Sequence, residues 1–335
     1  PVPFLFPYST GYPLPTNPTL ALNDSTGLLT GTPIGVGQYV FAVCAEEYDS
    51  NGVLLSTLRR DYQFNVMVCQ SNVLSNPTPQ DFQPNTICNG TTVTFLDSSY
   101  NGTNYHGWQV QPNASSVQET LNKALSIILN EEINIMGAGR TDTGVHAKEM
   151  FAHFDYAPTL EIDSVLHKLN SYLPKDIVIY DIIPVHNEAH ARFDAKKRTY
   201  NYYITSVKDV FSQEECWYYH QNLDVELMNQ AAKILLNHTD FQCFSKVNTD
   251  VNTFNCTISE AHWTQENNQL IFTISADRFL RNMVRAIVGT LINVGLHKIT
   301  LSEFNSIIEN KNRNEAGFSV PAQGLFLTKI DYDYL

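Results

Sequence analysis

A break in composition near residue 97 most constrains how this chain can fold. All twelve lysines follow residue 97, whereas the first 97 residues hold ten of the fifteen prolines and only two arginines. A change this abrupt predicts separate folding units, and 335 residues suffice for two or three domains. We predict a module over residues 1–70, a linker over 71–92 and a larger domain over 93–335, with lobes at about 93–195 and 196–335.

The first unit has the pattern of a small all-β module. Residues 38–44 and 61–69 are short aromatic and β-branched runs on either side of the turn signal Asp49-Ser50-Asn51-Gly52. We expect a sandwich-like segment, and its pattern weakly resembles secreted bacterial immunoglobulin-like and cadherin-like modules. This resemblance implies an alternative function for the chain, an extracellular binding or adhesion module.

The second unit alternates helical and strand patterns. Two capping-box sequences, Ser116–Glu119 and Thr300–Glu303, each precede apolar residues at helical spacing. Strands and helices in this order predict an α+β fold with substantial antiparallel pairing. The other predicted helices are marked by Leu166–Leu173, by a start near Asp224 and by Phe279–Leu291, and the predicted strands are 133–136, 150–154, 177–182, 200–204, 257–264 and 269–275.

The segment Gly137–Ala147 has the most unusual chemistry in the chain. It contains three glycines and places Arg140 two residues before Asp142. An aspartate in such a setting is usually a turn or cap residue. Asp142-Thr143-Gly144 also matches an aspartic-protease signature, but that chemistry needs two carboxylates sharing one proton. The chain has a single such tripeptide, and the nearby arginine favours an ionised carboxylate, so we disfavour a protease.

Several motifs, in a fixed order over residues 99–335, closely resemble the tRNA pseudouridine synthase A family. In chain order these motifs are Tyr100–Thr103 with Tyr105–Gln109, Gly139–Asp142 with Gly144–Ala147, Ala191–Phe193 with Arg198–Tyr202, Phe279–Arg285 with Ile287–Gly289, and Ala316-Gly317 with Ala322–Leu325.

The resemblance implies a fold and a reaction. The fold is that of pseudouridine synthases, two α/β lobes with a mostly antiparallel sheet. The reaction isomerises uridine to pseudouridine in the anticodon stem-loop of tRNA, at positions 38–40, without a cofactor. The partners implied are tRNA and a second copy of the chain in a homodimer, and the location implied is the cytoplasm. Whether the aspartate attacks C1′ or the base, or assists a glycal route, stays open.

The resemblance also assigns site residues. Asp142 matches the essential aspartate, Arg285 the arginine that pairs with it, and Tyr200 the tyrosine against the target base. Without the resemblance, Tyr200 is one residue of a buried strand face, and Arg278, Arg281 and Arg285 are a basic stripe on one helix face. Spacing predicts no metal site at His186 and His190. The substrate-binding candidates are Arg140, which fills the space of a flipped base, with His146, Tyr105, Trp108, Arg192, Lys197, Arg198 and Arg281.

The acidic balance bears on the RNA hypothesis. The formal net charge is −13, and residues 98–335 carry 19 bases against 27 acids. Phosphate contacts dominate nucleic-acid affinity, so the bases must be gathered on one face. The sequence contains no run of 18 apolar residues, so it predicts no transmembrane helix. No signal peptide is recognisable.

The sequence departs from the family pattern at its first strand. Ser98 occupies a position where we expect an apolar residue, and residues 91–99 fit a preceding β-module equally well. The extracellular style of residues 1–90 also conflicts with a cytoplasmic enzyme. We therefore regard the two parts as a fusion, either natural or a joining of unrelated reading frames, and favour the second.

Overall fold

The chain divides into two compact units, residues 1–90 and 91–335. The computed structural model describes residues 92–156, 160–246 and 253–335, together with the backbone of four strands in the first unit. Those four strands are β1 (Ala21–Leu22), β2 (Leu29–Thr30), β3 (Gly37–Tyr48) and β4 (Leu54–Val66).

The first unit contains two antiparallel strand pairs, β1 with β2 and β3 with β4. The β3–β4 ladder runs from the pair Gly37–Val66 to the pair Tyr48–Leu54, and the predicted turn between the two strands lies outside the described residues. This confirms the two predicted strands up to Val66. Residues 67–69 and residues 71–91 of the predicted linker lie outside the described residues, and the sandwich arrangement stays a prediction.

Nine strands of the second unit's described residues form one sheet. The strands are β5 (Thr92–Tyr100), β6 (Met136–Gly137), β7 (His146–Tyr156), β8 (Ile177–Val185), β9 (Lys197–Thr205), β10 (Trp217–Tyr218), β11 (Ile258–Glu266), β12 (Gln269–Ala276) and β13 (Leu325–Asp331). Their order is β11-β12-β9-β13-β7-β5-β8, with β6 beside β7 and β10 beside β9. Only β13–β7 and β10–β9 among these pairs are parallel, so the predicted α+β class with mostly antiparallel pairing is confirmed.

Helices cover this sheet and form two hydrophobic cores with it. The helices are α1 (Val117–Leu129), α2 (Ile162–Tyr172), α3 (Val225–Leu235), α4 (Met283–Gly295) and α5 (Leu301–Asn310). One core joins residues of β5, β7 and β8 to α1 and α2, and the other joins β9, β11 and β12 to α3, α4 and α5. Tyr200 packs against both cores. None of the described helices combines the length and apolar character needed to cross a bilayer.

Local side-chain chemistry explains where the helices begin. The Thr300 side chain accepts a hydrogen bond from the Glu303 amide and the Glu303 carboxylate accepts from the Thr300 amide, a complete capping box. At α1 only half of the predicted box forms. Ser116 accepts from the Glu119 amide, but the Glu119 carboxylate bonds Lys123 instead.

The first strand of the second unit is an integral part of the sheet. β5 lies between β7 and β8 and is hydrogen-bonded to both. Ser98, which departs from the expected apolar pattern, is buried, and its Oγ donates to the Met150 carbonyl at 2.8 Å. A buried hydroxyl with a partner costs little, so the strand tolerates serine here.

Two predicted elements are wrong in extent. The strand predicted over 133–136 is reduced to Met136–Gly137, because side chains of α1 accept from the Ile133 and Ile135 amides and take the place of a strand partner. The helix predicted from Phe279 begins only at Met283, since Asn282 adopts a left-handed conformation with φ of 67°. Consequently, Arg278 and Arg281 precede the helix and do not share a helical stripe with Arg285.

Candidate active site

Asp142 lies in the loop between β6 and β7. The turn that follows it is closed by a hydrogen bond from the Val145 amide to the Asp142 carbonyl at 3.1 Å, and Gly144 takes the positive φ of 76°. The preceding residue is fixed from the sheet, because Thr141 Oγ1 and the Tyr100 hydroxyl are 2.9 Å apart and hydrogen-bonded. The loop therefore holds the carboxylate in a defined place.

A second loop packs against the Asp142 loop from behind. Gly107 has a φ of 88°, and a Cβ atom added there would lie 2.3 Å from the Thr141 carbonyl oxygen. The Gly144 amide donates to the Tyr105 carbonyl at 3.3 Å. Only glycine permits both this backbone conformation and this close approach.

Three predicted substrate-binding residues lie behind this loop and not in the cleft. Trp108 is 2% exposed, and its indole occupies the space beside Gly137. Tyr105 is buried and donates its hydroxyl proton to Asp176. His146 is buried, stacks on Phe326 and accepts the Gly102 amide at Nδ1. Burial lowers the pKa of His146, which fits this acceptor role. In this structure these side chains are buried, support the loop and do not line the cleft.

The sheet register brings Tyr200 to the Asp142 loop. Leu327 of β13 pairs with Ala147 at the start of β7 on one side and with Tyr200 of β9 on the other. Tyr200 is partly buried and meets Phe279 edge to face, with ring centroids 5.2 Å apart. Burial, and then the charge of Asp142, raise the pKa of Tyr200 to about 12 despite the opposing effect of Arg198. The phenol is therefore protonated at neutral pH.

Two arginines flank the Asp142 carboxylate. Arg281 Nε lies 3.7 Å from one carboxylate oxygen, and Arg285 Nη1 lies 3.7 Å from the other. Arg285 is held in place because its Nε donates to the Val320 carbonyl at 2.7 Å. Within the described residues, no hydrogen bond reaches either carboxylate oxygen. The charge of Asp142 is thus compensated, while its oxygens stay available to a reacting group.

These residues line a cleft of about 1530 Å³ that gathers positive charge. Eight basic side chains and two acidic ones line it, in a unit where acids outnumber bases. Asp142 and Asp277 are the two acids. The bases are Arg140, Arg192, Arg198, Lys246, Arg278, Arg281, Arg285 and Arg313.

In the described part of the chain, three of the cleft arginines have guanidinium groups with neither an acidic partner nor a hydrogen bond. Arg140, Arg192 and Arg278 form no ion pair within 4.0 Å in the described part of the chain. Burial and the charges of Arg140 and Arg278 lower the pKa of Arg192, so the three guanidinium groups lie near one another. Like charges held together in this way favour an anionic ligand.

Two further predicted contacts have other roles in this structure. The Arg198 guanidinium donates to four backbone carbonyls, those of Ala195, Asp277, Ala138 and Arg192, and so ties together the segments that form the cleft wall. Lys197 forms a salt bridge to Asp331 at 3.2 Å and does not line the cleft.

Sequence reasoning did not select several residues that the cleft contains. Lys246 is distant in sequence from every motif, although its amide donates to the Arg281 carbonyl at 3.1 Å. Arg313 stands in an Asn-rich segment after α5, where it donates to the Gly317 carbonyl at 3.1 Å. Neither position carries a local signal. Phe193, in contrast, belongs to the Ala191–Phe193 motif, so the sequence does point to it; in the structure its ring lines the cleft and is 54% exposed.

Within the described residues, no group of three or more His, Cys, Asp and Glu side chains is placed to hold a metal ion. His190, one of the two histidines at helical spacing, is buried, and its Nδ1 accepts two backbone amides.

Comparison of the sequence with known proteins identifies the family of this chain. The family model described as tRNA pseudouridine synthase matches residues 98–194 and 231–333. The chain is 52% identical over 239 residues to a protein of Parabacteroides distasonis and 52% identical over 240 residues to one of Bacteroides fragilis, with 71% of this chain and 95% of each relative covered. It is 42% identical over 241 residues to a protein of a Thermoanaerobacter species, covering 70% of this chain and 96% of that relative. All three relatives carry the name tRNA pseudouridine synthase A. The alternative of an adhesion module has no support from these matches. The chain therefore belongs to the tRNA pseudouridine synthase family.

Proposed function

We propose that this chain isomerises uridine to pseudouridine in tRNA, at positions 38–40 of the anticodon stem-loop. The single observation that carries this proposal is the carboxylate of Asp142 flanked by Arg281 and Arg285, in a cleft lined by eight bases and two acids. Its relatives are named for the same reaction class. Because uridine and pseudouridine are isomers, the reaction needs no co-substrate.

The reaction exchanges one bond to the ribose for another. The N1–C1′ bond breaks, the base turns, and C5 forms the new bond to C1′ as it loses its hydrogen and N1 gains one. Asp142 is the group proposed to attack C1′ or the base, or to remove a ribose proton on a glycal route. The two arginines offset the cost of holding this carboxylate partly out of water.

Tyr200 is proposed to handle the C5 proton. Its raised pKa of about 12 means that the hydroxyl is neutral at physiological pH. It therefore acts as a relay, which accepts the C5 proton as it passes its own proton to solvent, and not as a standing phenolate.

Arg140 is proposed to occupy the space that the flipped base leaves in the RNA. It is exposed and lies in the Asp142 loop, two residues from the carboxylate. A base inside a stem must leave its stack to reach the carboxylate, and a planar guanidinium can stack in its place. We further propose that the enzyme works as a homodimer in the cytoplasm, where its tRNA substrate is found.

The experiment that tests this function uses tRNA transcripts labelled with tritium at C5 of uridine. Conversion of C5 into the glycosidic carbon must release that hydrogen, so the protein is expected to release tritium into water at positions 38–40. A transcript with cytidine at these positions is the control and should release none. Absence of release from both transcripts would contradict the function, and equal release from both would contradict the proposed positions.

Binding to tRNA is expected to weaken steeply with salt. Each phosphate contact contributes a slope of about −0.7 to −0.9 in a plot of log affinity against log salt. The guanidinium groups of Arg140, Arg192 and Arg278 alone therefore predict a fall in affinity of about 20- to 40-fold between 50 and 200 mM salt. Arg192→Gln should reduce the slope by about one, whereas Lys208→Gln, outside the cleft, should leave it unchanged. A flat salt dependence in filter-binding measurements would contradict the proposed RNA surface.

Gly107→Ala is expected to lower kcat by about a hundredfold. The added Cβ meets the Thr141 carbonyl at 2.3 Å and requires a positive φ, so the Asp142 loop must move. Gly139→Ala, where no atom lies within 4 Å of the added Cβ, is the matched control and should keep most of the activity. Tritium release under saturating tRNA measures both variants. Equal rates for the two would show that the close approach at Gly107 is unimportant.

A further inference from the structure

We propose that Phe193, together with Arg192, is a stacking platform that binds an unpaired nucleobase of the RNA beside the target uridine. The inference rests on the proposed tRNA function and extends it to a site outside the Asp142 cluster. Phe193 lines the cleft and is 54% exposed. Exposure of one aromatic ring is ordinary on a protein surface, so three further observations carry the argument.

The backbone beneath Phe193 is fixed by buried histidines. His190 Nδ1 accepts the amides of Arg192 and Phe193 at 3.1 and 3.2 Å, and His153 Nδ1 accepts the Ala191 amide at 3.1 Å. Three consecutive amides are therefore held by two imidazoles. Because these hydrogen bonds fix the backbone that carries the exposed ring, that backbone need not be ordered when a ligand binds.

The two histidines are suited to this acceptor role. They are 7% and 8% exposed, with ring centroids 4.5 Å apart. Burial, and then the neighbouring His190, lower the pKa of His153 to about 4. His153 thus stays neutral above that pH and keeps its Nδ1 lone pair for the Ala191 amide.

The chemistry around the ring fits a nucleotide. Phe193 rests against His190 with centroids 4.2 Å apart, and the Arg192 guanidinium carbon lies 5.7 Å from the Phe193 centroid. Arg140 and Arg278 add two more unpaired positive charges nearby. An aromatic face among guanidinium groups binds a base by stacking and its phosphates by charge, which is the pattern of single-stranded nucleic-acid sites.

The test compares Phe193→Leu with Phe193→Trp and with Phe211→Leu. Phe211 is 93% exposed and does not line the cleft, so it controls for the loss of an exposed ring. Phe193→Leu is expected to raise the Kd for an unmodified anticodon stem-loop by about tenfold and KM in parallel, with kcat nearly unchanged. Phe193→Trp should restore binding, and its added indole fluorescence should be quenched by the RNA. A residue that only supported the fold would instead lower kcat and the melting temperature.

Stem-loop RNAs with one abasic nucleotide on either side of the target identify the stacked base. One of them should lose affinity to the same extent as Phe193→Leu does, with no further loss when the two changes are combined. Binding by Phe193→Leu equal to that of Phe211→Leu, or unquenched Phe193→Trp fluorescence, would overturn the platform. Binding is measured without turnover, so a chain that binds through Phe193 but releases no tritium would refute the isomerase function and leave the platform standing.

Discussion

Asp142→Asn is expected to abolish pseudouridine formation, with kcat lower by about a thousandfold or more. Asparagine keeps the size of the side chain and one acceptor oxygen, so the loop held by Tyr100 and Gly144 should keep its shape. What is lost is the negative charge between Arg281 and Arg285. A neutral amide is a poor nucleophile and a poor base, and every route proposed for the reaction starts from this carboxylate.

The control for this substitution is Asp277→Asn, at the other acidic residue of the cleft. The Asp277 carboxylate accepts the amides of Thr257 and Arg278, which an asparagine oxygen can also accept. We expect this variant to keep at least about a third of the wild-type rate, since one amide oxygen replaces the carboxylate oxygen that carries both bonds.

Binding separates the chemical role of Asp142 from a structural one. Removal of a negative charge from a cleft of eight bases should leave tRNA affinity unchanged or increase it. Tritium release and filter binding are measured on the same preparation. A rate within tenfold of wild type, or a loss of binding as large as the loss of rate, would contradict a chemical role for the carboxylate.

The elements that could be predicted from sequence are those whose signals are local. The starts of α3 and α5 at Asp224 and Thr300 follow from side chains that accept amides of the first turn, and the β11–β12 hairpin turns at the predicted Asn267-Asn268. The start of α4 could not be predicted, because the apolar spacing continues through Asn282 while its backbone is left-handed. The spacing of apolar residues shows which face of a segment is apolar, but it does not show at which residue the helix begins.

The site shows the same division. Arg140 and Asp142 are two residues apart, and their placement in one loop needs no tertiary information. The aromatic residues of the neighbouring motif were expected to face RNA, yet Trp108 and Tyr105 are buried behind that loop. Sequence spacing cannot tell which side of a loop a ring takes. That choice depends on long-range contacts such as those of Trp108 with Gly137 and Tyr105 with Asp176.

Arg198 illustrates a role that charge alone could not reveal. It stands next to Lys197 in a basic run, which is typical of phosphate binding. In the structure its guanidinium instead donates to four backbone carbonyls from three segments of the chain. An arginine can serve several carbonyls at once because its guanidinium carries a fixed fork of five N–H groups.

Arg285→Gln is expected to lower kcat/KM by about 100- to 1000-fold, whereas Arg281→Gln should cost about tenfold or less. Both guanidinium groups lie 3.7 Å from the Asp142 carboxylate, so distance does not distinguish them. Burial does, because the Arg285 side chain is 21% exposed and that of Arg281 is 59% exposed. At about 4 Å a pair of unit charges is worth about 1 kcal/mol in water and about 4 kcal/mol where the effective dielectric constant is near 20.

The anchoring of Arg285 adds to this difference. Its Nε donates to the Val320 carbonyl, so the guanidinium does not have to be ordered when substrate binds, whereas an exposed Arg281 does. Arg285→Lys keeps the charge but has no second nitrogen for that carbonyl, so we expect an activity between those of wild type and Arg285→Gln. Tritium-release kinetics give kcat/KM for all three variants, and thermal melting shows whether the fold is intact. Equal losses for Arg281→Gln and Arg285→Gln in folded protein would mean that burial does not set the strength of these two ion pairs, and that both arginines act mainly through contacts with the RNA.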